Sequence, residues 1–429
     1  MKDLNSRIDG LYIPSFFCML IDSSTYDENM SDREISLFVH EYIHYLQNIT
    51  TICGLERLKS DFAILVNMVN WIKGQQGKKI SIPISQNVLS ELTIANGRIC
   101  DLTWGEKGDI KNFEFVSAQI IDSIKVDDFR DIESVCITYK GENGSEEVCS
   151  FGTREIYESM AYLIERHITK DYEISPDYPY NAAQKVIEYI YPELLNDYRN
   201  LLVLYDISLM SSNPGVELFK MVQWLKDIKY DQPVEPSMLF HFIDCNWEFF
   251  DLKQSVTKTD YFTARIEEVR NNLHILLNDD FFYDYHIWVD RILDYVLYLR
   301  IEKPLFWLEL YEQGYVKYNN CWIEIINNAG SPLIETNRHE YFYVNPLGCD
   351  SSCTIYFKVF SQIYRLLVYG DIQCGLIPWC NDKRNSVSVN TTCFNCPWNH
   401  QEHNGQLCTF KGIWQHWGLM DCCYEKIDR

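Results

Sequence analysis

The residues best placed to do chemistry are His40, Glu41 and His44, within Ser31 to Thr51, SDREISLFVHEYIHYLQNITT. On a helix, residues four apart lie one above the other, so His40 and His44 would present two imidazoles to one metal ion. Glu41, a step round the cylinder, would reach a metal-bound water instead of the metal. The plainer alternative makes both histidines ordinary core residues bonded to carbonyls or water.

The element that must position them carries its own signals. Ser31 followed by Glu34 fits a capping box, and Asp32 and Glu34 stand where a helix dipole favours negative charge. Ile35, Phe38, Val39, Tyr42, Ile43, Leu46 and Ile49 make most of the surface apolar, which predicts a buried helix. A narrow polar line of Ser36, His40, His44, Gln47 and Thr51 runs through it. Desolvating such a line without partners is costly, and a zinc ion would satisfy its two histidines.

A catalytic zinc takes three protein ligands and keeps a fourth position open. The best source of the third is the helix expected after Gly152, through Glu155, Glu158, Ser159, Met160, Ala161 and Glu165. With His40-Glu41-Tyr42-Ile43-His44, the stretch Glu158-Ser159-Met160-Ala161 resembles the gluzincin metallopeptidases, in which a downstream helix supplies a glutamate followed by small residues. The resemblance implies His40, His44 and Glu158 as ligands of a catalytic Zn2+ and Glu41 as the base that activates a zinc-bound water. Glu155, Glu165 and His167 are the alternatives to Glu158. It also implies a Tyr or His to stabilise the oxyanion, and among 29 tyrosines the sequence singles out none. Two features depart from the thermolysin-like pattern: Glu158 follows His44 by 114 residues, and position 162 is Tyr where an acidic residue would support the site. The likeness covers only these two helices.

A second cluster lies near the end of the chain. Of the 16 cysteines, seven fall in the final 56 residues. Cys374-x5-Cys380 and Cys393-x2-Cys396 make two ligand pairs of the kind that close a structural zinc site, with Cys408, His400 and His403 as substitutes. An iron-sulfur cluster is the rival, since thiolates suit it equally, and a set of buried free thiols is the plain reading.

Composition bounds the rest. With 47% hydrophobic and 14% aromatic residues in 429, the chain can bury large cores. A net charge of −23 opposes binding to a phosphate backbone or an anionic membrane. There is no apolar run long enough to span a bilayer, and Leu11 to Ile21, broken by Pro14 and Ser15, reads as a strand rather than a signal peptide. A cytoplasmic protein with free or liganded thiols is therefore expected.

The expected class is α+β, mainly helical. A zincin-like subdomain (1–151) would combine the motif helix and a second helix at Ser60 to Lys73 with a small, antiparallel sheet from Lys79 to Ser85, Phe113 to Ile121, Val135 to Lys140 and Glu146 to Phe151. A helical subdomain (152–345) would supply the third ligand, and 346–429 would form the cysteine-rich tail. Within the middle region, Tyr315 to Ile326 reads as a hairpin about Asn319-Asn320, and the aromatics at Trp247 to Phe250 and Phe281 to Tyr285 read as packing. The functional expectation is a zinc-dependent hydrolase, a peptidase acting on a peptide or protein and restrained by a narrow cleft or a regulatory partner. The rivals are a zincin-fold binding or toxin-regulating protein without turnover, and a redox or cluster protein centred on the tail.

Overall fold

The structure, a computed structural model, describes residues 10–23, 30–106, 108, 110, 112–128, 130–170, 176–230, 235–248, 257–350, 353–381, 388–400 and 408–426. Strands β1 (Gly10–Ile13) and β2 (Cys18–Ile21) are antiparallel, with Gly10 opposite Ile21. The single strand expected over this stretch is thus two. The turn between them places Ser15 and Phe17 at positive φ. It is held by Ser15, whose backbone N–H donates to Asn48 Oδ1 (3.0 Å) and whose hydroxyl donates to Asp61 (2.8 Å).

The motif helix α1 (Asp32–Thr50) begins at the capping box: Ser31 Oγ accepts from the Glu34 N–H, and Glu34 accepts from the Ser31 N–H. Thr51 separates it from α2 (Ile52–Lys73) and caps the second helix. Then come β3 (Lys79–Ile82), α3 (Glu91–Leu102), and the antiparallel meander β4 (Glu114–Lys125), β5 (Asp131–Lys140) and β6 (Glu146–Phe151), which leads directly into α4 (Thr153–Ile168).

A helical block follows: the single turn α5 (Asp177–Tyr180), α6 (Ala182–Ile190), α7 (Arg199–Leu209), α8 (Pro214–Asp227), α9 (Pro236–Asn246), α10 (Lys258–Leu276), α11 (Tyr283–Glu302), α12 (Phe306–Glu312) and α13 (Asn320–Ala329). The chain ends through β7 (Leu333–Thr336), β8 (Tyr341–Phe342), α14 (Thr354–Tyr369), the short α15 (Ile377–Asn381) and α16 (Thr392–Asn395), α17 (Thr409–His416) and β9 (Cys423–Lys426).

This is the mainly helical α+β arrangement expected, with one correction to the sheets and one to a loop. Besides the meander there are two more sheets, and each contains a parallel pair between distant segments: β2 with β7 in the order β1-β2-β7-β8, and β3 with β9. The hairpin expected at Tyr315 to Ile326 is a 3-10 turn followed by α13. Asn319 does not sit in a hairpin turn; it caps α13, its Oδ1 accepting from the Trp322 N–H at 2.9 Å, while its amide donates to the carbonyls of Leu310 and Gly314.

Helix α1 lies at the centre of the core. Tyr42, Ile43, Tyr45 and Leu46 are fully buried, and the hydroxyls of Tyr42 and Tyr45 donate to the carbonyls of Gly330 and Ala329 just past α13 and at its end. The last turn of α1 is tied to the helical block by Arg300, which donates to the Thr50 carbonyl and pairs with Asp206 at 2.8 Å, both side chains 6% exposed. Among the described residues no helix is long and apolar enough to cross a membrane.

Candidate metal centre

The polar line of α1 faces α4, and α4 answers it residue by residue. Ser36 donates to Glu165 Oε1 at 2.5 Å, and Gln47 donates to the Tyr157 carbonyl at 3.0 Å. Thr51 meets the Tyr157 hydroxyl at 3.2 Å. Between these contacts the two imidazoles turn toward a single point. His40 Nε2 and His44 Nε2 are 3.1 Å apart; Glu158 Oε2 lies 3.2 Å from the first and 3.5 Å from the second. Among the described residues this is the one group of three or more side chains whose donor atoms approach closely enough to share an ion.

The spacing and the charge both fit a metal. Tetrahedral zinc with bonds of about 2.0–2.1 Å sets neighbouring ligand atoms about 3.3 Å apart, and the three observed separations bracket that value. The far nitrogen of each ring is already engaged: His40 Nδ1 with Glu165 Oε2 at 2.9 Å and His44 Nδ1 with Gln47 Oε1 at 2.8 Å. Both partners accept, so each ring places a proton on Nδ1, which leaves Nε2 as the atom that would face a metal.

The charges around the triad favour a cation. Burial by itself would lower the pKa of His40, but Glu158 and Glu165, one at each ring nitrogen, hold it well above the usual histidine value. Burial would raise Glu158, yet the two imidazoles keep it far below the ordinary carboxylate range. The electrostatics that favour a proton here also favour a divalent ion.

Glu41 stands beside the three. It is buried, and desolvation raises its pKa against the pull of His40 and His44 and of the Tyr12 backbone N–H. A Cβ on Gly10 would lie 2.6 Å from Glu41 Oε1, so strand β1 passes directly over this carboxylate, and any side chain there would have to push one of the two aside. Tyr180, which the sequence could not single out, completes the surroundings. Its ring lies 5.8 Å from His40, and its phenol is held protonated first by burial and then by Glu158, Glu41 and Glu165.

The alternatives to Glu158 do other work. Glu165 supports His40 from behind, and His167 is exposed and stacks on Tyr311 with centroids 3.7 Å apart. Glu155 is fully buried at the start of α4, accepting from the Gly152 N–H (2.8 Å), the Glu106 N–H (3.3 Å) and the Tyr178 hydroxyl (2.6 Å). It thereby grips the turn that carries Tyr180.

None of the 16 cysteines is in a disulfide. In the tail, the Cys374 N–H donates to the Cys393 carbonyl at 2.8 Å. Burial first, and then the thiols of Cys374, Cys393 and Cys408, push Cys380 up to about 12; Cys374 is pushed up to about 12 in the same way, with Cys408 and Cys393 as its neighbours. Cys396 is not among those neighbours. The four tail cysteines expected to bind zinc form no close donor group among the described residues. His400 is buried with Nε2 against the Ser388 carbonyl at 2.7 Å; His403 and Phe249-Phe250 lie outside the described residues.

Compared with known proteins, the chain matches no family model, no curated protein and no solved structure.

Proposed function

We propose that the chain is a zinc-dependent hydrolase of the gluzincin type, cleaving peptide bonds. The observation that carries this reading is the convergence of His40 Nε2, His44 Nε2 and Glu158 Oε2 at zinc-like separations, with a buried carboxylate next to them that is not part of the triad. Zinc, when bound, supplies a Lewis acid and a water acidified toward about pH 7.

The chain's own groups do the rest. Glu41, a stronger base than an exposed glutamate because burial raises its pKa, takes a proton at its carboxylate and delivers it to the departing amine. Tyr180 keeps its proton and donates a hydrogen bond to the developing oxyanion. Glu165 and Gln47 hold the imidazoles in register. Tyr162 stands where the gluzincin pattern has its supporting carboxylate, and Glu165, close to one turn further along α4, takes that role. A peptide substrate is favoured by β1, an edge strand of its sheet beside Glu41, which offers backbone groups to an extended chain.

The test is metal analysis joined to turnover of a peptide library. Wild-type protein should carry zinc and cleave; Glu41→Gln should keep its zinc and lose cleavage; His44→Ala should lose both. Cleavage that survives in Glu41→Gln overturns the mechanism, and a wild-type protein that binds no zinc overturns the reading. A second zinc equivalent, lost in Cys393→Ala but kept in His44→Ala, is the result expected of a structural site in the tail.

A further inference from the structure

A cavity of about 350 Å3 lies beyond the metal centre, reached by Asn48 near the end of α1, by α2, by α3 and by Tyr157 of α4. That volume suits a small molecule. None of His40, Glu41, His44 and Glu158 lines it. Tyr157 alone belongs to both places, lining the cavity while its ring stacks on His44 at 6.2 Å and 28°.

The wall runs against the composition of the chain. The protein has 61 acidic and 38 basic residues, yet the cavity is lined by Arg57, Lys59, Arg130 and Arg265 against one acid, Glu56. The other counter-charges stand outside the lining: Asp61 is 3.2 Å and Asp101 3.6 Å from Arg57, Asp127 is 2.7 Å from Arg130, and Glu268 is 2.7 Å from Lys59 and 2.9 Å from Arg265. They hold the cationic heads in place, and each guanidinium, with five N–H groups in a fixed plane, has more donors than one carboxylate can take. Nε of Arg265 has no acceptor, but it is shut off from solvent, so the cavity meets this residue at its other guanidinium atoms. The remainder of the wall mixes polar side chains, Asn48, Asn96, Thr103, Thr153 and Ser212, with apolar ones, among them Leu92, Ile99 and Trp104, which line the same space as Tyr157.

We propose that this cavity binds a small anion carried on an aromatic body, its charged head held by Arg57, Arg130 and Arg265 and its ring lying against Trp104 and Tyr157. The proposal does not rest on the hydrolase reading, since it concerns binding at residues outside the metal centre.

The experiment is isothermal titration of the full chain, stripped of metal with a chelator, using phenyl phosphate as probe, benzyl alcohol as the uncharged control and inorganic phosphate as the head alone. Phenyl phosphate should bind saturably with one equivalent, and each control should bind at least roughly tenfold more weakly. Arg265→Gln and Arg57→Gln should each weaken the probe by about tenfold. Leu92→Trp is a second kind of variant, made at a residue 64% exposed and touching no ion pair, so that the fold is spared while the cavity is filled. It should abolish binding with an unchanged circular dichroism spectrum. Absence of saturable binding by the wild type, equal binding by Leu92→Trp, or a requirement for zinc would each overturn the proposal, the last by placing the probe at the metal.

Discussion

Glu165 Oε2 lies 2.9 Å from Nδ1 of His40, while Glu158, seven residues earlier on the same helix, lies 3.2 Å from Nε2 of the same ring. Seven residues at about 100° each fall about 20° short of two full turns, so both carboxylates leave α4 on one face. One helix thus holds His40 at both ends. If Glu165 fixes the tautomer and orientation of a metal ligand, Glu165→Ala should weaken zinc binding by roughly 10–100-fold while leaving its stoichiometry unchanged. Competition against a fluorescent zinc chelator measures this, and an unaltered affinity would remove Glu165 from the site.

The approach of β1 to Glu41 gives a second test. A methyl group at position 10 would meet Glu41 Oε1 at 2.6 Å and its Cγ at 3.0 Å, so Gly10→Ala must displace either the carboxylate or the strand. Displacements of about 1 Å at a reacting group cost roughly 10²-fold in rate. Gly10→Ala should therefore lose turnover on that scale and retain zinc, since His40, His44 and Glu158 are not touched by the change. Full activity in this variant would show that Glu41 is not the base.

What could be read from the residues alone divides by range. The capping box at Ser31, the imidazole spacing of His40 and His44, and the polar line through α1 are local, and each appears in the fold as read. Glu158 also stands beside the two histidines, and its small neighbours Ser159 and Ala161 are buried in α4. The roles of the other carboxylates were not legible, because they depend on what faces α4. Glu155 and Glu158 differ by about 60° round the helix, enough to send one into a backbone clamp and the other to the histidines. Tyr180 was hidden for the same reason: it reaches His40 from outside α4, on a turn anchored by Tyr178. Asn319-Asn320 misled because a turn-forming dipeptide is also a helix cap, and Leu310 and Gly314 decided between them.

Tyr180 is the residue that tests the reaction apart from the metal. Its phenol faces Glu158, Glu41 and Glu165, yet it is not one of the three donors that converge. Tyr180→Phe keeps the ring that packs on His40 and Tyr162 and deletes only the hydroxyl. A lost oxyanion donor costs roughly 10²–10³ in kcat. The variant should show that loss with KM and zinc content little changed; a change confined to KM would make Tyr180 a binding residue instead.

Glu155 makes the pH dependence of stability predictable in sign. Burial lifts its pKa from 4.5 to about 7, with the Tyr178 hydroxyl and the Gly152 N–H opposing the rise. The unfolded chain gives up this proton near 4.5 and the folded chain only near 7. Between those values the folded state holds a proton that the unfolded state lacks, so raising the pH favours unfolding. The group should remove up to about 3 kcal/mol of stability as pH rises through this window, and nothing more above it. Glu155→Gln loses an acceptor for its three donors and should be less stable at pH 4.5, but it has no proton to release. Denaturant titrations of both proteins in chelator, from pH 4.5 to 8, should therefore show the deficit of the variant shrinking by about 3 kcal/mol up to pH 7 and then holding constant. Parallel curves would mean that Glu155 folds already ionised.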